Sequence, residues 1–322
     1  MNIFNQTLQT SERILSDLYL TFREERKALI TFLFHGLFKN QDEIRQNWVH
    51  PQQGITVAQF RQFIEYYQEH NYHFVSPEDI VKGLEPQKNY VLITFDDGYY
   101  NNVLALPVLE ECRVPAVFFI TANNVKYYKA FWWDVLYRER TKSGVSPEKQ
   151  NEEKRILKKK THREIEAYLV DAFGKDYFKP LNDVDRPFTP GELKEFSAHP
   201  YVHIGNHTCD HAILTNYTRD GIREQISAAQ KIIEEMTAIV PQSIAYPNGN
   251  YSEEIGEISR QVGLKLGITT SPRKNYLPLN LEGNHSMRLQ RFILWGNGSI
   301  IKQCRLYRSD VREFLHSLRM SR

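Results

Sequence analysis

The sequence predicts an α/β protein, a (β/α) barrel of about seven to eight parallel strands. Apolar runs rich in β-branched and aromatic residues alternate with helical patterns along the chain, which is typical of parallel βα units. About eight such runs are present, close to the number that closes a barrel. An open, doubly wound sheet is the alternative, but no GxGxxG follows the first strand, which weakens a dinucleotide-binding interpretation.

The strand candidates are short apolar runs bounded by turn residues or polar side chains. They are Ala28–Phe34, Tyr72–Val75, Tyr90–Phe95, Ala116–Thr121, Val202–Gly205, Ser243–Tyr246, Lys265–Thr269 and Arg291–Leu294. Helices are predicted where apolar residues recur at three- and four-residue spacing, or where capping residues mark a start or an end. These helices cover Thr56–His70, Asn102–Glu111, Ile222–Met236 and Ser252–Val262, with a short one opening at Ser76.

Two segments fall outside this alternation. Residues 1–27 are predicted to form a helical N-terminal extension, and residues 28–322 to form the barrel. Within the barrel, the stretch at about 141–187 is highly charged and predicts a helical insertion. Its run Lys158–Lys160 favours a solvated helix face over contact with an anionic lipid head group.

Composition limits the classes of function. The 41 Lys and Arg residues nearly balance 39 Asp and Glu residues, so no global charge attracts nucleic acid. The N-terminal residues lack the pattern of a signal peptide, and no apolar run could span a bilayer, so we expect a cytoplasmic protein without stable membrane insertion. Cys112, Cys209 and Cys304 form neither a disulfide framework nor a CxxC pair. The 12% of aromatic residues fits sugar binding and a large core equally well.

The first motif is Thr94-Phe95-Asp96-Asp97-Gly98, at the end of an apolar strand. In a parallel barrel the carboxyl ends of the strands form the catalytic face. Two adjacent carboxylates repel each other unless a cation or a proton lies between them. An ordinary Asp-Gly turn explains the pattern about equally well.

The second motif is His207-Thr208-Cys209-Asp210-His211, which also follows a predicted strand. The two histidines face one way if the segment is helical, and two histidines with one carboxylate are a common catalytic metal set. Thr208 stands where a zincin would have Glu, which excludes that class. Cys209 is expected to point into the packing, and surface or capping histidines remain the alternative.

Two weaker signals occupy the same predicted face. Ala245-Tyr246-Pro247-Asn248-Gly249 ends a strand in a rigid turn that could aim a backbone N–H at a developing oxyanion. Turn chemistry alone explains its proline and glycine as well. His35 follows the first strand in Phe34-His35-Gly36.

Together, TFDDG, HTxxH and AYPNG resemble the first three motifs of the polysaccharide deacetylases, the NodB-homology enzymes of carbohydrate esterase family 4, across roughly residues 28–295. The resemblance implies a distorted (β/α) barrel of bacterial origin that holds a divalent metal, zinc foremost, with Co²⁺, Ni²⁺ or Mn²⁺ as alternatives. It implies further roles for individual residues: Asp97, His207 and His211 as metal ligands, Asp96 as general base, Tyr246 as oxyanion donor, and Trp132, Trp133, Pro247 and Gly249 as substrate-binding residues. The run Phe131-Trp132-Trp133-Asp134 resembles a segment of the branch that acts on bacterial surface polysaccharides, although it also fits an amphipathic helix start.

The sequence departs from the family pattern at two places. Many members carry the catalytic acid in a late LxxH motif, for which His285 is a poor match; a circularly permuted branch carries it near the N-terminus, where His35 fits better. The third motif also lacks the arginine that often steadies the base aspartate. Arg291 is the candidate to replace that arginine and is also grouped with the expected substrate-binding residues. The alternative is that Arg291 is an ordinary surface residue.

The resemblance therefore implies hydrolysis of an acetyl group from an N-acetylated sugar of a polysaccharide or its precursor, releasing acetate. An O-acetyl carbohydrate esterase would use the same metal and base. A non-catalytic sugar-binding barrel is less consistent with the complete Asp, His, His set. A phosphotransferase with a DxD motif fits poorly, because Asp96 and Asp97 are adjacent.

Overall fold

The computed structural model describes residues 15–50 and 52–311. Each of the eight predicted strands is present, and a short ninth strand, Asn275–Tyr276, lay outside the prediction. The strands are β1 Ala28–Phe34, β2 Tyr72–Phe74, β3 Asn89–Phe95, β4 Ala116–Ile120, β5 Val202–Asn206, β6 Ser243–Ala245, β7 Leu266–Ile268, β8 Asn275–Tyr276 and β9 Arg291–Ile293.

Seven parallel strands form a nearly closed barrel, which confirms the predicted fold class. Their order is β7-β6-β5-β4-β3-β1-β9, with β9 parallel to β1. A parallel bridge between Ile268 and Leu289 joins β7 to the segment before β9. β2 pairs with the start of β3, and β8 pairs antiparallel with the start of β1. Both therefore lie at the opposite end from the strand termini that carry the motifs.

An aromatic core fills the space between the sheet and its helices. β1, β3 and β4 are buried along their whole length, as expected of strands covered on both faces. The Phe34 and Phe95 rings lie 5.2 Å apart, and the Phe95 and Phe118 rings stack at 4.8 Å. Much of the aromatic excess therefore stabilises the core rather than binding a ligand.

The helices around the barrel begin where the sequence places capping residues. Thr56 and Ser76 each form a reciprocal capping box with the third residue of the helix, and Pro77 occupies the first helical turn. The helices are α1 (residues 15–22), α2 Gln41–Arg45, α3 Val57–Glu69, α4 Pro77–Lys82, α5 Leu106–Cys112, α6 Ala122–Tyr127, α7 Trp132–Lys142, α8 Pro147–Leu157, α9 His162–Phe173, α10 Pro190–Ser197, α11 Arg219–Thr237, α12 Glu253–Gln261 and α13 Ile300–Arg308.

The helical insertion begins earlier than the composition indicated. Its three helices, α7, α8 and α9, start at Trp132 rather than near residue 141. The first of them opens with buried aromatic residues, so the charged composition starts only after the structural boundary. Leu136, Leu157 and Leu169 pack with the two tryptophans into a small core of their own.

The described part of the N-terminal extension packs against the end of the chain. Residues 1–14 of the predicted helical extension lie outside the described residues, and residues 15–22 form α1. Tyr19 donates a hydrogen bond of 2.8 Å to Asp310, and Asp17 pairs with Arg305 at 2.9 Å. Among the described residues, no helix has both the length and the apolar composition needed to cross a membrane.

Candidate active site

A cavity of about 350 Å³ opens where the carboxyl ends of β1, β3 and β6 meet the insertion. Its walls carry residues from all the predicted motifs, together with side chains of α7 and α8 and of the segment after β9. The lining residues are Leu33, His35, His50, Gln52, Gln53, Asp96, Asp97, Trp132, Trp133, Lys154, Lys158, His211, Ile213, Asn248, Thr270, Ile293 and Trp295.

The backbone at the motifs adopts conformations that ordinary residues avoid. Asp97, Thr208, His211 and Asn248 all have positive φ angles, of 76°, 65°, 51° and 60°. Such left-handed positions cost free energy for residues other than glycine and cluster at functional sites. Asp97 is held there by Gly98, whose amide donates to the Asp96 carbonyl at 3.0 Å.

The second motif is a tight turn rather than a helix. Thr208 accepts a hydrogen bond of 2.8 Å from the Ala212 amide, and its own amide donates to the Asn206 side chain at 2.7 Å. This turn, not a helical repeat, brings His207 and His211 together. Cys209 is buried in the main hydrophobic core, in agreement with a packing role.

Asp97, His207 and His211 form a candidate metal centre. One ligand atom of each lies within 4.8 Å of the others. The Nε2 atoms of both histidines are 3.4 Å from the same Asp97 oxygen, and that buried oxygen has no hydrogen-bond partner among the described residues. His207 donates from Nδ1 to the Ala245 carbonyl at 2.7 Å, which leaves its Nε2 lone pair facing Asp97. The donor set and the orphaned oxygen therefore fit a divalent cation.

The electrostatics of this cluster favour a bound cation. Burial would raise the pKa of Asp97, but contact with His207 and the proximity of the His35 imidazole hold it well below its usual value. Burial lowers the pKa of His211 to about 3, so this imidazole is neutral, the form that binds metals. Burial alone would also lower the pKa of His207, yet the charges of Asp96 and Asp97 raise it. The carboxylates thus attract positive charge to the position between them and the imidazoles.

Asp96 is paired with Arg291 inside the barrel. Two guanidinium nitrogens of Arg291 donate to the two Asp96 oxygens, at 2.8 and 2.6 Å. Burial would raise the pKa of Asp96, but the charges of Arg291 and His207 lower it and keep the carboxylate ionised. Arg291 thus makes the contact expected of the arginine that replaces the one missing from the third motif. Its grouping with the substrate-binding residues is corrected, because its side chain is fully buried and cannot reach a ligand.

His35 lies in the cavity, whereas His285 does not. His35 Nδ1 lies 3.0 Å from the Gln53 side-chain oxygen, and the Gln53 amide group donates to the Leu33 carbonyl at 2.7 Å. This arrangement assigns the Nδ1 proton of His35 to the bond with Gln53, so Nε2 is the atom left for substrate. His285 is exposed and contacts Arg288 instead.

The third motif serves the site differently from expectation. The Tyr246 amide donates to the Ile268 carbonyl at 3.2 Å and its hydroxyl to Met287 at 3.0 Å, so Tyr246 has no free N–H for an oxyanion. Pro247 is buried, and a side chain at Gly249, which has φ of 76°, would collide with Thr270. Neither lines the cavity, so the expected contacts of Pro247 and Gly249 with substrate are corrected to turn-forming roles. Asn248 is the residue of this turn that lines the cavity.

The two predicted tryptophans form a wall beside the candidate metal centre. The Trp133 ring lies 4.4 Å from the His211 ring, and its indole N–H donates to the Tyr99 hydroxyl at 2.7 Å. Tyr99 in turn donates to the buried Asp134 carboxylate at 2.5 Å. Trp132 also lines the cavity. This chain of contacts fixes the wall on one side of the site.

Several lining residues were not recognised from the sequence. Trp295 directly follows the last predicted strand, which is the signal that could have identified it. Lys154 and Lys158 share a helical spacing of four residues, but Lys158 was expected to be solvated. That expectation was wrong, because Lys158 is partly buried and faces the cavity, while its neighbour Lys159 is exposed.

Comparison with known proteins identifies relatives of this chain. A family model described as polysaccharide deacetylase matches residues 83–267. The putative polysaccharide deacetylase YxkH of Bacillus subtilis is 22% identical over 255 residues, which cover 78% of this chain and 67% of YxkH.

Two solved structures share the fold. The Streptococcus pyogenes deacetylase PplD, solved in complex with acetate, is 16% identical with a TM-score of 0.58, over 88% of this chain and 99% of PplD. IcaB from Ammonifex degensii is 17% identical with a TM-score of 0.57, over 88% of this chain and 99% of IcaB.

Proposed function

Because the chain belongs to the polysaccharide deacetylase family, carbohydrate esterase family 4, we propose that it is a metal-dependent hydrolase that removes acetyl groups from an N-acetylated sugar. The sugar would belong to a polysaccharide or its precursor, and the products would be acetate and a free amino sugar. We assign the activity to the barrel from residue 28 onward, with the helical insertion as part of the cavity wall.

Asp97, His207 and His211 would hold the divalent metal, zinc foremost. When bound, such a metal polarises the acetyl carbonyl and acidifies a water. The orphaned, buried oxygen of Asp97 is the single observation that carries this proposal, because such an atom otherwise costs desolvation energy with no compensating partner.

Asp96 would be the general base. Its pairing with Arg291 keeps the carboxylate ionised and oriented, and its oxygen lies 3.9 Å from His207, next to the candidate metal ligands. It can therefore accept a proton from the attacking water. His35 would be the acid, donating a proton from Nε2 to the departing sugar nitrogen while Gln53 fixes the ring through Nδ1.

The backbone N–H of Asn248 would donate a hydrogen bond to the acetyl oxygen as negative charge develops on it. Asn248 replaces Tyr246 in this role because it lines the cavity, and no described residue accepts a hydrogen bond from its backbone N–H. Such a preorganised donor stabilises the transition state more than the ground state. Trp132, Trp133 and Trp295 would contact the sugar and exclude water around the reacting bond.

The proposal is tested by measuring acetate release from N-acetylated glucosamine oligosaccharides, with matched O-acetylated sugars in parallel. We expect release to stop when the metal is removed by a chelator and to return when zinc is added. Asp96→Asn and His35→Ala should each lower the rate about 10²-fold or more. His285→Ala is the matched control and should retain full activity.

Full activity in protein shown to be metal-free would contradict the metal role. Release from the O-acetylated sugars alone would reassign the chain as an O-acetyl esterase. Metal binding without acetate release from either set would indicate a sugar-binding barrel. A near-wild-type rate for His35→Ala, with loss in His285→Ala, would reassign the acid.

A further inference from the structure

Two lysines of the insertion project into the candidate active site. Lys154 lies on α8 and Lys158 caps its C-terminal end, four residues later, so both occur on one face of the helix. Both line the same cavity as Asp97 and His35. Lys158 donates a hydrogen bond of 2.6 Å to the Asn248 side chain, which holds its ammonium group beside the turn of the third motif.

Among the described residues, neither of these two cations has a carboxylate within salt-bridge distance, in contrast to most cationic side chains of α7 and α8. Most other cationic side chains of α7 and α8 form salt bridges within the insertion or with its base. The pairs are Arg138 with Asp185, Arg140 with Glu153, Lys142 with Glu139, and Arg155 with Glu152. Within residues 15–50 and 52–311, neither Lys154 nor Lys158 forms a salt bridge.

Burial of the two ammonium groups is therefore only weakly compensated. Burial lowers the pKa of both lysines, and the charge of Lys154 lowers that of Lys158 further. The carboxylates that act on Lys154 are Asp134 and Asp97. Burial raises the pKa of Asp134 to about 7, so this carboxyl group is only partly ionised at neutral pH. The Asp97 carboxylate already contacts two imidazoles, so it is not available to Lys154 alone.

With a divalent cation bound, the cavity would carry a net positive charge. Arg291 balances Asp96, and a divalent cation would more than balance Asp97, which leaves the two ammonium groups without a counter-charge. A neutral sugar would leave that charge unpaired in a partly dehydrated pocket. An anion would pair with it through charge-assisted hydrogen bonds.

We propose that Lys154 and Lys158 form an anion-binding subsite of the deacetylase cavity, so that the preferred substrate carries a phosphate or carboxylate next to its N-acetyl sugar. This inference rests on the proposed deacetylase function. The recognised chemistry is a compact oxyanion, supplied either by a phosphate ester at the reducing end of the sugar or by the carboxylate of a neighbouring acidic sugar.

The test compares three substrates of the zinc-loaded full chain: N,N′-diacetylchitobiose as the neutral substrate, N-acetylglucosamine 1-phosphate, and a disaccharide of N-acetylglucosamine with glucuronic acid. The measured quantity is the ratio of kcat/KM for each anionic substrate to that for the neutral one. We expect a ratio well above one for the wild type, and higher salt should reduce it. The anionic substrate with the higher ratio identifies the source of the anion.

Lys154→Met and Lys158→Met should each lower this ratio about tenfold, the size of one charge-assisted hydrogen bond. Lys158→Arg should keep most of it. Lys159→Met is the matched control, since Lys159 is exposed beside the pair and does not line the cavity. If Lys154→Met does not fold, Lys158→Met and the salt dependence of the wild type still decide the outcome.

A wild-type ratio near one, or an unchanged ratio in Lys158→Met, would overturn the anion subsite while leaving the deacetylase function intact. An equal loss on neutral and anionic substrates would also overturn it, because the lysines would then act in the chemical step. No acetate from any of the three substrates would count against the proposed function itself.

Discussion

Arg291 determines the charge state of the neighbouring carboxylate, Asp96. It lies fully buried and donates to both oxygens of Asp96, to Thr94 at 2.9 Å and to the Thr269 carbonyl at 3.0 Å. Four hydrogen bonds thus hold the guanidinium group, and removing one partner of this buried ion pair leaves an uncompensated charge in the interior. The loss of Arg291 would therefore change both the free energy of unfolding and the ionisation of Asp96.

We predict that Arg291→Gln lowers the free energy of unfolding by about 3–5 kcal/mol and makes Asp96 harder to ionise. The Asp96 pKa should rise, so the acidic limb of the pH profile of kcat/KM should move to higher pH. Arg291→Lys keeps the charge but loses the bidentate contact, so both effects should be smaller. Urea denaturation and pH–rate profiles measure the two quantities.

Arg288→Gln is the control for this prediction. Arg288 is exposed three residues away and pairs with Glu253 at 3.1 Å, so neither stability nor the pH profile should change appreciably. An unaltered pH profile in Arg291→Gln, despite lost stability, would mean that Arg291 supports only the fold.

At the scale of elements, α7 is attached to the barrel through a buried hydrogen-bonded chain. Asp134 on this helix accepts from Tyr99, which follows β3 and also accepts from Trp133, the ring beside His211. The second oxygen of Asp134 is buried without a partner among the described residues. Burial raises the pKa of Asp134 to about 7, although the Tyr99 hydrogen bond partly opposes this.

This shift predicts a pH-dependent stability. The Asp134 pKa is raised above the value near 4 of an unfolded aspartate, so the folded state binds the proton more tightly. The stabilisation that Asp134 contributes when protonated is fully present below about pH 4 and is lost as the pH rises through about 7. Asp134→Asn should therefore lose less stability over this range than the wild type, by up to about 4 kcal/mol.

Chemical denaturation of the zinc-loaded protein at several values between pH 4 and pH 8 measures this difference. Asp171→Asn, an exposed change on α9, should follow the wild type at every pH. If Asp134→Asn differs from the wild type by a constant amount across the range, Asp134 does not titrate in the folded protein.

At the scale of the whole molecule, the barrel brings together side chains from distant strands. Asp97 follows β3, His207 follows β5, and Arg291 begins β9, so the candidate active site spans several parts of the ring. A ligand that binds only the folded arrangement stabilises it by mass action, by about 4 kcal/mol at a thousandfold excess over its dissociation constant.

We predict that zinc raises the melting temperature of metal-free protein, and that Asp97→Asn abolishes the increase. Asp176→Asn, a change at an exposed carboxylate, should keep the full increase. Thermal scans with and without metal provide the measurement. An equal rise in Asp97→Asn would place the stabilising metal elsewhere in the protein.

Strands, helix starts and strand-end motifs could be predicted from local patterns. The eight strands follow from apolar runs, and the caps at Thr56 and Ser76 follow from side chains that bind their own helix. The start of the insertion could not be predicted in this way, because Trp132 and Trp133 carry no charge and are buried by contacts with later helices. Tyr246 was assigned wrongly, because its amide partner belongs to a neighbouring strand.

The sequence by itself determined the fold class and the family resemblance. It also predicted that Asp96, Asp97, His207 and His211 lie at one face of the barrel, since short motifs at strand ends carry that information. Only the tertiary structure decided that Arg291 pairs with Asp96, 195 residues away, instead of lying at the surface, and that Lys158 reaches Asn248, 90 residues away. Local periodicity contains no information about contacts at such separations. They arise when the barrel closes and the insertion packs over its carboxyl-terminal edge.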